Sequence, residues 1–297
     1  MQIMQKKLTL EKIYDDFCSK TGYRAVFGIE QEFYLHFKEG YVNSAPNIAP
    51  QAVIDSLAAF PFFSEIEEEK GEGQFEVQIA PTNNPALMAQ MVELLRKNII
   101  LSADNAKIRA EDIFAAKPYI IQPGSGMHIH INLLDENGQN IFSRNGDDES
   151  EEFHQAIAGL LELMPASIKY FAPYEAAYVR YVQHGMDCPS TISWGANNRT
   201  ASLRLPSVPL MPHTRRIEHR VPCADADPYL CIAAILIGIE FGILNKLENK
   251  HPKIWGNAFL PQYQLAKLPH SLNAAKAITH EYLDKALSGF FSDLSNG

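Results

Sequence analysis

The chain has 297 residues, 46% hydrophobic and 21% charged, the makeup of a globular protein able to bury a sizeable core. Its 35 acidic and 26 basic residues leave a formal net charge of -9, which argues against a nucleic-acid surface as the main partner. No apolar run of about 18 residues appears, so no membrane partner is expected. The charged start MQIMQKKLTLEKIYDDF has no apolar core of signal-peptide type, and Cys18, Cys188, Cys223 and Cys231 form no CxxC pair. A cytoplasmic chain with free thiols is the expectation.

In chain order, residues 9–20 read as a short helix, and 23–37 (YRAVFGIEQEFYLHF), rich in aromatic and branched residues, as a strand. Residues 51–60 and 84–109 carry helical patterns, with an alternating strand at 74–80 (QFEVQIA) between them. MHIHINL (127–133) alternates cleanly, so His128, His130 and Asn132 share one face and Ile129, Ile131 and Leu133 the other. DENGQN (135–140) reads as a turn and SRNGDDESEE (143–152) as a solvated acidic loop. A helix follows at about 151–171, then strands at 199–206 and 215–221 around a Pro-rich loop. A buried helix is expected over 228–248, with Pro228 near its start, and a tail helix over about 271–290. Strands and helices mix without regular βαβ alternation, which predicts an α+β fold with an antiparallel sheet.

Four segments carry chemistry. Glu30 and Glu32 are two apart on a strand and share a face. Adjacent carboxylates on a mostly apolar strand call for a hard divalent cation, or else form a solvent-facing stripe. The acidic run EIEEEKGEGQFE (65–76) ends at Glu76, which opens a strand; most such runs are simply solvated. In GSGMHIHINL (124–133), Gly124 and Gly126 permit close backbone approach before His128 and His130, which suit a metal or a phosphate. Arg199, Arg204, Arg215, Arg216 and Arg220 crowd into residues 199–220, and guanidinium groups fit phosphate and carboxylate. Arg216, Glu218 and Arg220 share a strand face, either as an ion-pair ladder or as a metal ligand between phosphate binders; spacing leaves both open. Together these describe a site for metal, polyphosphate and a carboxylate substrate. Neither GxxxxGK[ST] nor GxSxG occurs.

GIEQEF (28–33), the Glu68-to-Glu76 block ending in GQFE, KPYIIQPGSGMHIH (117–130), AAYVR (176–180), SWGANNRTASLRLP (193–206) and RRIEHRVPCADADPYL (215–230) resemble, in order, the catalytic domain of glutamine synthetase. The resemblance covers roughly residues 23–290. It implies a curved antiparallel β-sheet with flanking helices over 23–297, preceded by a helical lead-in at 1–22. It also implies two or more Mg²⁺ or Mn²⁺ ions, with Glu32, Glu68 and Glu76 on one and Glu30, His128 and Glu218 on another. His130 and Asn132 fall where the family contacts ATP. Arg199, Arg204 and Arg216 resemble its phosphate-binding arginines. Arg180 resembles the arginine on the substrate α-carboxylate, Arg220 the one near the reacting γ-carboxylate, and Gly124 lies in the loop that contacts glutamate.

The implied reaction joins glutamate to ammonia or an amine through a γ-glutamyl phosphate, with ATP as the phosphoryl donor. Departures from the family pattern shape this expectation. The family's N-terminal β-grasp domain, which completes a neighbouring subunit's site, has no counterpart in residues 1–22, so a homo-oligomer or a partner chain supplying that part is expected. The usual C-terminal helices are largely absent. Pro123 replaces an Asn. Asp187 stands nearest to the family's flexible-loop Glu, Asp227 replaces an Asn as a helix cap. The metal and ATP half is therefore expected to be intact and the amine half altered. Open alternatives are a ligase with a different amine or acid, a phosphotransferase, and a nucleotide-binding subunit that needs a partner.

Overall fold

The computed structural model describes residues 2–35, 48–58, 60, 62–105, 112–144, 148–182, 188–207 and 212–291. Helix α1 (Gln2–Thr21) starts earlier than the pattern at 9–20 predicts and ends where Gly22, at φ 77°, turns the chain. Strand β1 (Arg24–Tyr34), helix α2 (Ile48–Ala58), strands β2 (Phe63–Glu68) and β3 (Gln74–Thr82) and helix α3 (Pro85–Asn105) follow. Next come β4 (Met127–Leu134), a small hairpin of β5 (Ser143–Arg144) and β6 (Asp148–Glu149), α4 (Glu151–Phe171) and the single turn α5 (Val179–Val182). Three short strands, β7 (Trp194–Ala196), β8 (Leu203–Leu205) and β9 (Ile217–His219), precede α6 (Pro228–Leu244), α7 (Leu272–Ala277) and α8 (Glu281–Leu287).

Seven strands form one sheet in the order β2-β3-β1-β4-β9-β8-β7. The pairs are antiparallel except β7–β8, which is parallel, so the sheet is mixed rather than wholly antiparallel. On one face Phe27, Ile29, Phe33, Val77, Ile129 and Ile131 are buried in the core, with α3 packed against β1 and β3. Behind them α6, apolar around its whole circumference, is packed against α1, α3, α4 and α8, as an all-round hydrophobic helix must be. Asp227 caps α6, accepting from the backbone N–H of Tyr229 and Leu230, and Pro228 sits in the first turn.

Helices α4 and α6 meet glycine to glycine. A Cβ on Gly242 would fall inside the Gln155 carbonyl oxygen, and one on Gly159 inside that of Gly238. Only hydrogen fits, and the axes approach correspondingly closely.

Two expectations change here. The acidic stretch 143–152 is not simply solvated: Glu149 pairs with Lys253 and lies 3.6 Å from Arg215, while Ser150 caps α4 by accepting from Phe153 N at 3.0 Å. The tail helix divides into α7 and α8 because Ile278 is extended, at φ -90°, ψ 121°. All four cysteines are free thiols, and no helix among the described residues is long and apolar enough to cross a membrane.

Candidate active site

Register, more than sequence proximity, builds the site. Across β3, β1 and β4, Glu76 pairs with Glu32, Gln78 with Glu30, and Glu30 with His128. On β4, His130 pairs with Glu218 of β9, and Glu218 with Arg204 of β8. Residues on neighbouring rungs two apart point the same way. Glu76, Glu32, Glu30, His128, His130, Glu218 and Arg204 therefore stand together on the face turned away from the helices.

The distances follow. His128 Nδ1 lies 3.4 Å from Glu30, 3.8 Å from Glu76 and 3.8 Å from Glu218, while its Nε2 lies 3.7 Å from Glu32. His130 Nε2 is 2.8 Å from Glu30 Oε1 but off the line of a hydrogen bond, leaving that buried nitrogen without a hydrogen-bond partner. Its Nδ1 accepts from Arg216 Nε at 3.0 Å. Ligand atoms of Glu30, His130 and Glu218, of Glu30, Glu76 and His128, and of Glu32, Glu69 and Glu76 each lie within 4.8 Å of one another.

Charge in this cluster is unevenly matched. Glu218, fully buried, is bonded by Arg220 and by Arg204 Nη1 at 2.6 Å. Burial alone would raise its pKa, but Arg220, His130 and His128 bring it down to about 2. Burial opposes ionisation of Glu30 too, and the two histidines beside it hold it well below the usual carboxylate range. At Glu76 the repulsion prevails: burial, then Glu30, Glu32, Glu69 and Glu218, push it up to about 9. Glu69 is also raised, by burial and Glu32, with Arg199 pulling the other way. A buried set of oxygens repelling one another fits a hard divalent cation.

Glu68, one of the ligands expected from the sequence, stands apart from the cluster, and its neighbour Glu69 lies in it. Glu67 pairs with Glu76 across β2–β3, so Glu67 and Glu69 share the face of Glu76 and Glu68 points away, exposed. Glu69, whose N–H donates to Gln74 O at 2.9 Å as the hairpin closes, occupies the cluster instead of Glu68. The ladder left open for Arg216, Glu218 and Arg220 forms only in part: Glu218 takes Arg220 and Arg204, while Arg216 goes to His130. Arg215 serves the Glu149 pair and Ser143 Oγ, away from the cluster.

Beside the carboxylates lies a cavity of about 360 Å³ lined by Glu30, His130, Asn132, Arg216, Gln78 and Thr214, among others. Three of the residues expected to meet nucleotide, His130, Asn132 and Arg216, therefore line it together with Glu30, one of the expected metal ligands. Arg199 is exposed at the other flank, its carbonyl accepting from Arg220 Nε at 3.2 Å. Arg180 is buried, donating to Val221 O at 2.9 Å and Arg220 O at 3.2 Å, with its Nε unpaired. Its guanidinium reaches the cluster because Gly126 has no side chain: a Cβ there would lie 2.5 Å from Arg180 Nη2 and 2.7 Å from His128 Nε2. Gly124 likewise lies against the Arg180 stem, and Pro123 O accepts from Tyr34 Oη at 2.8 Å. Asp187 lies outside the described residues.

A family model described as "Glutamine synthetase, catalytic domain" matches residues 51–293. Gamma-glutamylputrescine synthetase PuuA of Escherichia coli (strain K12) is 40% identical over 179 residues, 60% of this chain and 37% of that protein. The glutamate–isopropylamine ligase of a Pseudomonas species is 35% identical over 216 residues, 72% of this chain and 46% of that protein. The chain thus spans about half or less of these relatives' length. Among solved structures, a GmaS/ADP complex superposes with a TM-score of 0.80 at 21% identity, over 98% of this chain and 74% of that one. That likeness establishes the sheet-and-helix architecture.

Proposed function

The chain belongs to the glutamine synthetase family, and we propose that it is the ATP- and divalent-metal-dependent catalytic part of a glutamate–amine ligase. One observation carries the reading: Glu30 and His130 belong at once to the carboxylate cluster and to the wall of the cavity that also holds Asn132 and Arg216. A cation site that borders a recess would set an ion against the phosphates of a nucleotide bound there, as phosphoryl transfer from ATP needs.

In this proposal Glu32, Glu69 and Glu76 hold one cation, and Glu30, His128 and Glu218 hold another. Bound there, Mg²⁺ or Mn²⁺ would neutralise phosphate charge as the γ-phosphoryl moves. His130, Asn132 and Arg216 face the nucleotide, and Arg204 and Arg199 flank its phosphates. Arg220 and Arg180 supply positive charge toward the acid substrate, with Gly124 in the wall beside them. The acid's γ-carboxylate oxygen attacks the γ-phosphorus and ADP leaves, giving an acyl phosphate. The amine then attacks the acyl carbon, phosphate departs with the bonding pair, and the amine loses a proton, for which Asp187 is the proposed acceptor.

Relatives named for putrescine and isopropylamine stand beside several named glutamine synthetases, so ammonia and an organic amine both belong to this proposal as acceptors. Homo-oligomeric assembly and a cytoplasmic location belong to the same proposal. The test is phosphate release from ATP with Mn²⁺, glutamate and a panel of ammonia, alkylamines and diamines. Turnover that needs glutamate and one of these amines supports the reading; phosphate release indifferent to both would overturn it.

A further inference from the structure

The face of β1 opposite the carboxylates holds a cation that the proposed chemistry does not use. Arg96 of α3 is partly exposed along its stem, but its guanidinium is buried under the sheet. Nε donates to Gln31 Oε1 at 2.9 Å, Nη1 to Ala226 O at 2.8 Å and Nη2 to Met127 Sδ at 3.2 Å. The guanidinium carbon lies 5.7 Å from the ring centre of Phe114. Gln31 is itself fully buried and passes the link on, its Nε2 donating to Glu32 O at 2.9 Å and Ala224 O at 3.3 Å.

The partners matter more than the number of bonds. Gln31 separates Glu30 from Glu32, and Met127 precedes His128 and pairs with Gln31 in the β1–β4 register. Ala224 N donates to Ser125 O at 3.1 Å, so the loop held by Arg96 and Gln31 also closes onto the glycine segment before β4. One guanidinium thus holds, from behind, a side chain of each of the two strands that present Glu30, Glu32 and His128 in front, together with the backbone of the loop before α6. Burying a guanidinium is costly, and an apolar residue of similar size would pack there at less expense if packing were all that mattered.

We propose that Arg96, acting through Gln31, is a positioning residue that fixes the spacing of the Glu30, Glu32 and His128 ligands. The inference rests on the metal-site reading above. Ligand spacing controls cation affinity because a carboxylate displaced by about 1 Å no longer completes a rigid oxygen cage.

The test measures Mn²⁺ binding by electron paramagnetic resonance and thermal unfolding of the metal-free protein, on wild type, Arg96→Met, Arg96→Lys, Gln31→Met and Glu240→Gln. Glu240 is buried far from the cluster, bonded by Lys20 and Tyr282, and serves as the destabilising control. Arg96→Met and Gln31→Met should weaken Mn²⁺ binding at least about tenfold, the scale of lost ligand-orienting contacts. Arg96→Lys should lose less, and Glu240→Gln should lower the unfolding temperature while binding Mn²⁺ as wild type does. If Arg96→Met does not fold, Gln31→Met cuts the same link from its other end. Wild-type affinity in Gln31→Met and Arg96→Lys would overturn the inference, as would equal weakening in Glu240→Gln. Failure of wild type itself to bind Mn²⁺ would instead overturn the metal-site reading.

Discussion

Binding of a divalent cation should release a proton, and Glu76 should be its source. Burial and four neighbouring carboxylates push the Glu76 pKa up to about 9, so the metal-free protein carries a proton there at neutral pH. A cation must displace that proton, and each pH unit below the raised pKa costs about 1.4 kcal/mol, or tenfold in affinity. Between pH 6.5 and 8.5 the apparent Mn²⁺ affinity should therefore rise about a hundredfold, roughly 2.7 kcal/mol. Stability moves the other way in the metal-free protein. Because the folded state holds this proton more tightly than the unfolded one, the contribution is present at low pH. It falls as pH rises from the ordinary carboxylate range towards 9. Glu30 and Glu218, both depressed, contribute in the opposite sense, their stabilisation being lost only as pH drops below the ordinary range. Calorimetric Mn²⁺ titrations in two buffers of different ionisation enthalpy count the proton directly. The count should approach one at pH 7.5 and vanish in Glu76→Gln, along with the pH slope. A pH-independent affinity with no proton release would refute the reasoning.

Three further outcomes follow from the geometry. Glu69→Ala should weaken Mn²⁺ more than about tenfold, whereas Glu68→Ala, exposed on the other face, should leave binding unchanged; the same titration separates them. Arg216→Ala removes the partner of His130 Nδ1 and a charge from the cavity wall, and should weaken ATP-analogue binding by about 1.5–3 kcal/mol in a fluorescence titration. Gly242→Ala would gain about 1 kcal/mol in an isolated helix, but here its methyl meets the Gln155 carbonyl. A net loss above roughly 2 kcal/mol is expected in denaturant unfolding.

What the sequence reveals depends on where periodicity carries information. MHIHINL announces its two faces, and β4 presents His128 and His130 together on the carboxylate side. Helix α4 spans the expected 151–171 because an amphipathic pattern follows a capping Ser150. Strand β2 escapes notice because EIEEE lies on an edge with residues exposed on both sides and so shows no alternation. The same strand hides the choice between Glu68 and Glu69: counting back from Glu76 gives a spacing, but only the pairing of Glu67 with Glu76 tells which neighbour shares its face. Strands β8 and β9 are three residues each, too short for a period, and their arginines sort between Glu218 and His130 only through tertiary contacts. Arg96 gives no signal at all, since a lone arginine on a helix ordinarily reads as solvated.

The central claim is that these carboxylates and imidazoles gather to bind two dications beside a triphosphate. Anomalous diffraction from crystals soaked with Mn²⁺ and a nonhydrolysable ATP analogue tests it most directly. One anomalous peak is expected among Glu32, Glu69 and Glu76 and another among Glu30, His128 and Glu218, with the phosphates reaching Arg216 and Arg204. Nucleotide and manganese bound elsewhere, or no peak at either group, would contradict it.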